Sequence, residues 1–155
     1  DDFPDTVLIQ RGFGGASFPD VLHYLDRIVI PYRPRKIVLY CGDNDLGNGR
    51  SPGQVIRDFQ EFATRVRAPL PETPIVFLAI KPSPLRWSLV NSMRAVNAKV
   101  RAMAEADPLL EYVDVFTPML GPDGQPRRDL YEEDGLHVNA AGYALWKNIL
   151  QPHVR

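Results

Sequence analysis

The chain contains four short runs of residues that are almost entirely apolar and rich in β-branched side chains. They lie at residues 6–9, 36–40, 75–80 and 112–116. Each run is too short for a typical helix, and the lack of polar alternation is typical of a strand that is buried on both faces. The pattern therefore predicts four parallel strands.

Between these runs, apolar residues recur every three or four positions, which is the spacing of an amphipathic helix. Three such segments lie at residues 18–29, 55–66 and 89–103. A last helix is predicted to begin after Asn139, whose side chain can cap it, and to end near Leu150, just before Pro152. Each helix is expected to bury one apolar stripe against the sheet.

Strands and helices alternate along the chain, with a long loop before the last helix. This order predicts an α/β protein, a three-layer α/β/α sandwich with a parallel sheet and right-handed crossovers. The 15 prolines are dispersed at the boundaries of elements and do not gather into a linker. We therefore expect residues 1–155 to form a single domain.

Composition narrows the kinds of partner. The chain has 18 basic and 19 acidic residues, so it lacks the positive charge expected of a protein that binds nucleic acid. It contains no apolar run long enough to span a membrane, and its single cysteine, Cys41, offers neither an internal disulfide nor zinc-type spacing. We expect a small ligand of little charge and no cofactor or metal. The compartment (cytoplasmic, periplasmic or secreted) and the oligomeric state stay open.

In an open α/β sheet, ligands bind beyond the carboxyl ends of the strands, so the loops that leave the strands are the first place to look for chemistry. Three of these loops carry distinctive short sequences. They are RGFGG at residues 11–15, GDND at residues 42–45 and DGLH at residues 134–137.

The glycines of the first motif, at positions 12, 14 and 15, permit backbone conformations that are closed to other residues. They would let a main-chain N–H approach a bound ligand without interference from a Cβ atom. A tight turn between a strand and a helix explains the same glycines equally well. Both interpretations stay open on the glycines alone.

The second motif places Asn44 between Asp43 and Asp45 at a strand end. The Asn44 side chain could donate to an oxyanion in the crevice. Asn and Asp are also favoured in turns and as helix caps, so a purely structural role is the alternative.

The third motif places His137 three residues after Asp134. A carboxylate next to a histidine fixes its tautomer and stabilises the imidazolium, as a general base in acyl transfer requires. A structural pair with no catalytic role is the alternative.

Taken together, in this order and at strand ends, the three motifs resemble those of the SGNH hydrolase superfamily. This superfamily includes GDSL-type esterases and lipases, lysophospholipase-like enzymes and platelet-activating-factor acetylhydrolase-like proteins. RGFGG is similar to its second block, GDND to its third and DGLH to its fifth, and KPSP at residues 81–84 lies where the variable fourth block falls. The resemblance covers nearly the whole chain. It implies a sheet of strand order 2-1-3-4-5 and hydrolysis of carboxylic esters through an acyl-enzyme.

The resemblance also implies roles for individual residues. His137 would be the general base, with Asp134 as the carboxylate that orients it. The backbone N–H of Gly15 and the side-chain amide of Asn44 would donate to the oxyanion, and loss of one such donor typically lowers the rate by about 10²–10³. The substrate would be a small acyl ester. The residues suggested to line its binding site are Asp45, Arg86 and Trp87.

The nucleophilic serine of the superfamily has no counterpart here, because the G-D-S-like turn that carries it is absent from the sequence. Ser17 is the nearest candidate, but it lacks the flanking residues of a nucleophile elbow and is expected to cap a helix. Cys41 ends a strand that is predicted to be buried and is expected to pack in the core. We therefore assign no nucleophile in residues 1–155.

In the strand order 2-1-3-4-5, the serine strand lies between the strands predicted at residues 6–9 and 36–40. Without it, these two strands would have unpaired edges, at a cost of about 1–3 kcal/mol for each buried unpaired group. We expect the serine strand to lie before Asp1 in the natural protein or in a separate chain. Residues 1–155 alone are then expected to be inactive for lack of the serine.

Two other functions stay open. One is a non-catalytic relative that binds a carbohydrate ester or a lipid ester in the crevice between Gly15 and Asn44. The other is a metal-dependent phosphohydrolase, because carboxylates and imidazole suit divalent ions. Its metal ligands would be Asp43, Asp45, Asp134 and His137.

Overall fold

A computed structural model describes residues 3–154; residues 1, 2 and 155 lie outside the described part. Within that part, three strands form one sheet. They are β1 (Ile37–Leu39), β2 (Ile75–Leu78) and β3 (Leu110–Val113). Both neighbouring pairs are parallel, in the order β1-β2-β3, with Ile75 of β2 opposite Ile37 and Leu110.

Five α-helices accompany the sheet. They are α1 (Phe18–Ile28), α2 (Asp43–Gly47), α3 (Pro52–Arg67), α4 (Val90–Glu105) and α5 (Ala140–Leu150). Four of them match the helices predicted from the apolar spacing, whereas α2 is one short turn that follows β1. The α/β class with a parallel sheet is confirmed.

Helices cover both faces of the sheet. The ring of Phe59 from α3 lies 5.0 Å from that of Phe77 in β2, and Phe77 is opposite Leu39. Tyr40 follows Leu39 and therefore points to the other face, where its ring lies 5.1 Å from Trp146 of α5. The sheet is thus sandwiched between α3 on one side and α5 on the other.

Local sequence explains where the helices begin. The Ser17 hydroxyl and backbone N–H both donate to Asp20 in a capping box that starts α1, at 2.6 and 2.9 Å. Asn139 accepts from the backbone N–H groups of Ala141 and Gly142, at 3.0 and 3.1 Å, as predicted for the N-cap of α5.

The prediction of a strand at residues 6–9 is wrong for this structure. That segment pairs with no strand among residues 3–154, and Val7 is 97% exposed. An apolar run forms a strand only where a neighbouring strand offers hydrogen bonds. The three observed strands lie side by side in chain order, and the predicted order 2-1-3-4-5 stays a prediction.

The last strand also lies earlier than predicted, ending at Val113 instead of residue 116. The side chain of Asp114 accepts from the N–H groups of Phe116 and Thr117, both at 2.9 Å. This turn takes residues 114–116 out of the sheet although they are mostly apolar. None of the helices in residues 3–154 has the length and apolarity needed to cross a membrane.

Candidate active site

A histidine and an aspartate form a close pair in the loop before α5. His137 Nδ1 lies 2.5 Å from Asp134 Oδ2, and the His137 side chain is 75% exposed. The other carboxylate oxygen accepts from the backbone N–H groups of Leu136 and His137, at 2.8 and 2.9 Å. Bonding at Nδ1 leaves Nε2 as the ring nitrogen that can exchange a proton with a ligand.

Hydrogen bonds also set the acidity of Asp134. Its bond to the His137 ring and the two backbone N–H donors lower the pKa of the carboxyl to about 2. The carboxylate is therefore ionised throughout the neutral range. In that state it holds the Nδ1–H tautomer of His137 and can stabilise the imidazolium.

The loop that follows β2 contacts the turn formed by residues 134–137. Gly135 has a φ of +65°, and its carbonyl oxygen accepts from the Leu85 N–H at 3.0 Å. A Cβ atom at Gly135 would lie 3.2 Å from Cβ of Pro84. The Asp134–His137 turn therefore needs glycine both for its backbone conformation and for its contact with Pro84.

The other end of the turn is fixed by a short antiparallel bridge and by the cap of α5. Tyr131 pairs with Val138, and the Glu132 N–H donates to the His137 carbonyl at 2.8 Å. Asn139 Nδ2 donates to the carbonyls of Asp129 and Tyr131, each at 3.0 Å. His137 is thus held between a backbone bridge and a helix cap.

The second predicted site residue, Asn44, lies in the first turn of α2. Its Nδ2 donates to the carbonyl oxygen of Ala16 at 3.0 Å, and Oδ1 accepts from both terminal nitrogens of Arg86 at 3.2 Å. The bond to Ala16 brings Asn44 beside the Gly15–Ala16 step. Since an amide nitrogen carries two hydrogens, one N–H of Asn44 is left for a ligand.

Gly15 adopts a φ of +74°, which favours glycine, and is exposed at the end of the RGFGG segment. No described atom lies within 4 Å of the position that a Cβ would take, so the surroundings of Gly15 are open. The hydrogen bond from Asn44 to the Ala16 carbonyl therefore places Asn44 next to the residue that follows Gly15.

A buried cluster of charged side chains lies around Asp43, the residue that precedes Asn44. Asp43 Oδ1 accepts from Arg86 at 2.7 Å, and Oδ2 contacts Lys81 Nζ at 2.5 Å and the Tyr40 hydroxyl at 2.9 Å. Burial favours the neutral acid, but the two cations outweigh it and lower the pKa of Asp43. Asp43 is therefore an ionised carboxylate that lies between the positive charges of Lys81 and Arg86.

The predicted role of Asp45 changes in this part of the structure. Asp45 was expected to bind substrate, but it is fully buried, and both of its oxygens accept from the Phe18 N–H at 3.1 Å. Burial raises its pKa, although the Phe18 N–H and Arg50 act against this effect. Asp45 therefore anchors the start of α1 to α2 and is not accessible to a ligand.

Arg86 and Trp87 were also expected to line a substrate site. The guanidinium of Arg86 is instead engaged by Asp43 and Asn44, and it packs over Gly47, where a Cβ would lie 2.6 Å from its Cζ. Trp87 lies under the guanidinium of Arg94, with 5.9 Å between Cζ and the ring centroid. Arg86 contacts the proposed oxyanion donor, and Trp87 packs against a surface arginine.

Cys41 and three of the serines are engaged or inaccessible in the structure. Burial beside Asp45 raises the pKa of the Cys41 thiol far above its usual range, so the reactive thiolate is strongly disfavoured. Ser17 and Ser51 cap α1 and α3, and Ser83 is fully buried.

A metal site would need several ligands to converge. Among residues 3–154, no group of three or more His, Cys, Asp and Glu side chains is placed to hold a metal ion. In the GDND motif, the Asp43 carboxylate is instead bound by Lys81 and Arg86. The Asp45 carboxylate accepts from the Phe18 N–H. The four predicted metal ligands are therefore not brought together among residues 3–154.

Sequence reasoning missed Lys81 and the linking role of the loop at residues 81–87. This loop contacts the GDND segment through Lys81 and Arg86, and the DGLH segment through Leu85. A lysine directly after an apolar strand was the available signal, because a buried cation needs a buried anion.

Comparisons with known proteins agree with this geometry. No curated protein matches the chain. A solved structure of a Streptococcus pneumonia protein named for platelet activating factor is 24% identical, with a TM-score of 0.86 over 98% of this chain and 74% of that one. A carbohydrate esterase of family 3 from Talaromyces cellulolyticus is 18% identical, with a TM-score of 0.78 over 97% of this chain and 74% of that one. A mutant acetyl esterase with an acetate ion gives the same four values.

At these identities the structural matches establish the fold. The family is established by the sequence itself, because the model of the GDSL-like lipase/acylhydrolase family matches residues 1–145. The resemblance predicted from the RGFGG, GDND and DGLH motifs is thereby confirmed. The chain belongs to the GDSL-like lipase/acylhydrolase family.

Proposed function

We propose that this protein is a serine esterase that hydrolyses small acyl esters through an acyl-enzyme. The observation that carries the proposal is the pair formed by His137 and Asp134, in which a 2.5 Å bond at Nδ1 leaves Nε2 for proton transfer. An exposed imidazole oriented by an ionised carboxylate is the arrangement that a general base in acyl transfer needs.

In the proposed reaction, a serine hydroxyl attacks the ester carbonyl carbon and transfers its proton to His137 Nε2. Asp134 stabilises the resulting imidazolium. Collapse of the tetrahedral intermediate breaks the bond to the leaving alkoxide, which takes the proton back from His137. Water then repeats the sequence on the acyl-enzyme and releases the carboxylic acid.

The negative charge on the tetrahedral intermediate requires hydrogen-bond donors. Gly15 supplies a backbone N–H on an exposed turn, and Asn44 supplies the amide hydrogen that is not bonded to Ala16. Donors fixed in advance stabilise the developing charge without reorganising during the reaction. The bond between Asn44 and Ala16 supports the assignment, because it holds the two donors next to each other.

The nucleophile is proposed to lie on a further strand beside β1. Within residues 3–154, β1 pairs only with β2, and its other edge has no partner. Val38 is 40% exposed, and the apolar run at residues 6–9 also lies exposed without a partner. A strand inserted between them would pair both, and it would carry a serine at its carboxyl end, towards Asn44 and His137.

The proposed substrate class is a carboxylic ester with a small acyl group. It rests on the family and on the similarity to an acetyl esterase and a carbohydrate esterase.

The test is ester hydrolysis by the full natural protein. It should hydrolyse p-nitrophenyl acetate, keep this activity in EDTA, and lose about 10³-fold or more in kcat in His137→Ala. Residues 1–155 alone should show no hydrolysis. Inhibition by EDTA would favour a metal-dependent phosphohydrolase, and a full protein that binds esters without hydrolysing them would favour a non-catalytic relative.

A further inference from the structure

We propose that Arg86 is a positioning residue that fixes the orientation of the Asn44 side-chain amide. The inference rests on the proposed function, in which that amide donates to the oxyanion. The guanidinium of Arg86 donates to Asn44 and Asp43. It would act on the reaction through Asn44, without touching the substrate.

Hydrogen-bond chemistry defines the amide orientation. The carbonyl oxygen of Ala16 can only accept, so the atom facing it at 3.0 Å must be Nδ2 of Asn44. The Arg86 guanidinium can only donate, so the atom facing its two nitrogens at 3.2 Å must be Oδ1. A flipped amide would place donor against donor and acceptor against acceptor.

Arg86 is itself held in place. Its NH1 donates to Asp43 Oδ1 at 2.7 Å, and only 18% of its side chain is exposed. Gly47 lies under the guanidinium and leaves it room, because any side chain there would overlap it. The guanidinium is therefore anchored by a buried carboxylate on one side and by packing on the other.

Arg86 shares the charge compensation of Asp43 with Lys81. Lys81 already contacts Asp43 Oδ2 at 2.5 Å and is as buried as the carboxylate. The feature that Arg86 adds is a planar fork that reaches Asp43 and Asn44 at the same time. A donated bond from a cation to Oδ1 also polarises the amide and strengthens its N–H as a donor.

The first experiment measures the amide directly and does not depend on activity. In ¹⁵N NMR spectra of the full protein, the two Nδ2 hydrogens of Asn44 should have widely separated shifts and slow exchange with water. In Arg86→Lys and Arg86→Gln, the signals should move towards those of an exposed asparagine. Arg101→Gln, which alters an exposed arginine of α4, should leave them unchanged. Unchanged Asn44 signals in both Arg86 variants would overturn the positioning role.

The second experiment separates positioning from charge balance. Arg86→Lys keeps the charge but loses the fork, so we expect kcat to fall about 10-fold, with KM within about twofold. In an Asn44→Ala background, the same change should cause almost no further loss, because the residue through which Arg86 acts is gone. Full kcat in Arg86→Lys, or an undiminished 10-fold loss in the Asn44→Ala background, would overturn the proposal.

The two proposals fail in different ways. Absence of ester hydrolysis in the unmodified protein would overturn the proposed function. An Asn44 amide that is insensitive to Arg86 would overturn the positioning role even in an active enzyme.

Discussion

The backbone N–H of Leu85 donates to the carbonyl oxygen of Gly135 at 3.0 Å. This bond joins the loop after β2 to the turn that carries His137. The next residue, Arg86, reaches in the other direction to Asn44. One short loop therefore holds both the proposed base and a proposed oxyanion donor, although the sequence separates His137 and Asn44 by most of the chain.

The first prediction concerns the contact between that loop and the turn. Gly135→Ala should lower the free energy of unfolding by about 1–3 kcal/mol, because φ is positive and the new Cβ would press on Pro84. It should also reduce ester hydrolysis by displacing His137. Thermal unfolding and initial rates measure the two effects.

Gly124→Ala is the matched control. Gly124 has a similar φ of +73°, but no atom lies within 4 Å of its Cβ position. It should show the backbone strain alone and keep full activity. Equal losses of activity in the two variants would mean that the Pro84 contact does not position His137.

The second prediction concerns the titration of Asp134, whose pKa is lowered to about 2 by its bond to His137 and by two backbone N–H donors. Because this value lies below that of the unfolded chain, the pair stabilises the fold fully above about pH 4 and loses its effect as the pH falls towards 2. A ¹³C NMR titration of the Asp134 carboxyl should therefore have its midpoint near 2.

The His137→Ala variant loses the hydrogen bond from the His137 ring, which lowers the pKa of Asp134 most, and keeps the two backbone N–H donors. The Asp134 midpoint should then rise towards, without reaching, the value of a free aspartate. A midpoint that is the same in both proteins would show that the close contact between the two side chains does not exist in solution.

The third prediction concerns Asp45, which is buried and accepts from the Phe18 N–H. Asp45→Ala should destabilise the protein by about 1–3 kcal/mol, because it leaves the Phe18 N–H without its acceptor and removes one of the two carboxylates that pair with Arg50. Asp45→Asn keeps an acceptor for Phe18 and should cost less. Both variants should keep KM within about twofold, and a large rise in KM with normal stability would restore Asp45 as a substrate-binding residue.

The fourth prediction concerns Cys41, whose thiol is buried and has a strongly raised pKa. It should resist iodoacetamide at pH 8 in the folded protein and react quickly in urea. Cys41→Ala should retain ester hydrolysis. Rapid modification of the folded protein together with loss of activity would identify Cys41 as a nucleophile.

Local patterns were sufficient to predict much of the architecture. The helical spacing located four of the helices, and Asn139 was correctly expected to cap α5, because capping depends on neighbouring residues alone. The run at residues 6–9 failed as a strand because strand formation depends on a partner elsewhere in the chain. Its apolar composition indicates burial, but it does not supply the hydrogen bonds.

In the candidate site too, contacts within one turn could be predicted, whereas contacts between distant segments could not. Asp134 and His137 are three residues apart, so their contact could be predicted from a single turn. The pairing of Arg86 with Asn44 joins a loop to a helix 42 residues away, and nothing in either segment indicates which way the guanidinium points. The acceptor role of Asp45 for the Phe18 N–H likewise joins residues 27 positions apart and required the three-dimensional structure.

The central claim is that His137 and Asp134 serve a serine on a strand that completes the sheet beside β1. The most direct measurement is to label the full natural protein with a fluorophosphonate probe and identify the modified peptide by mass spectrometry. We predict labelling of one serine outside residues 1–155, and much slower labelling in His137→Ala. Labelling of Ser17, Cys41 or any other residue within 1–155, or labelling that is equally fast in His137→Ala, would contradict this account.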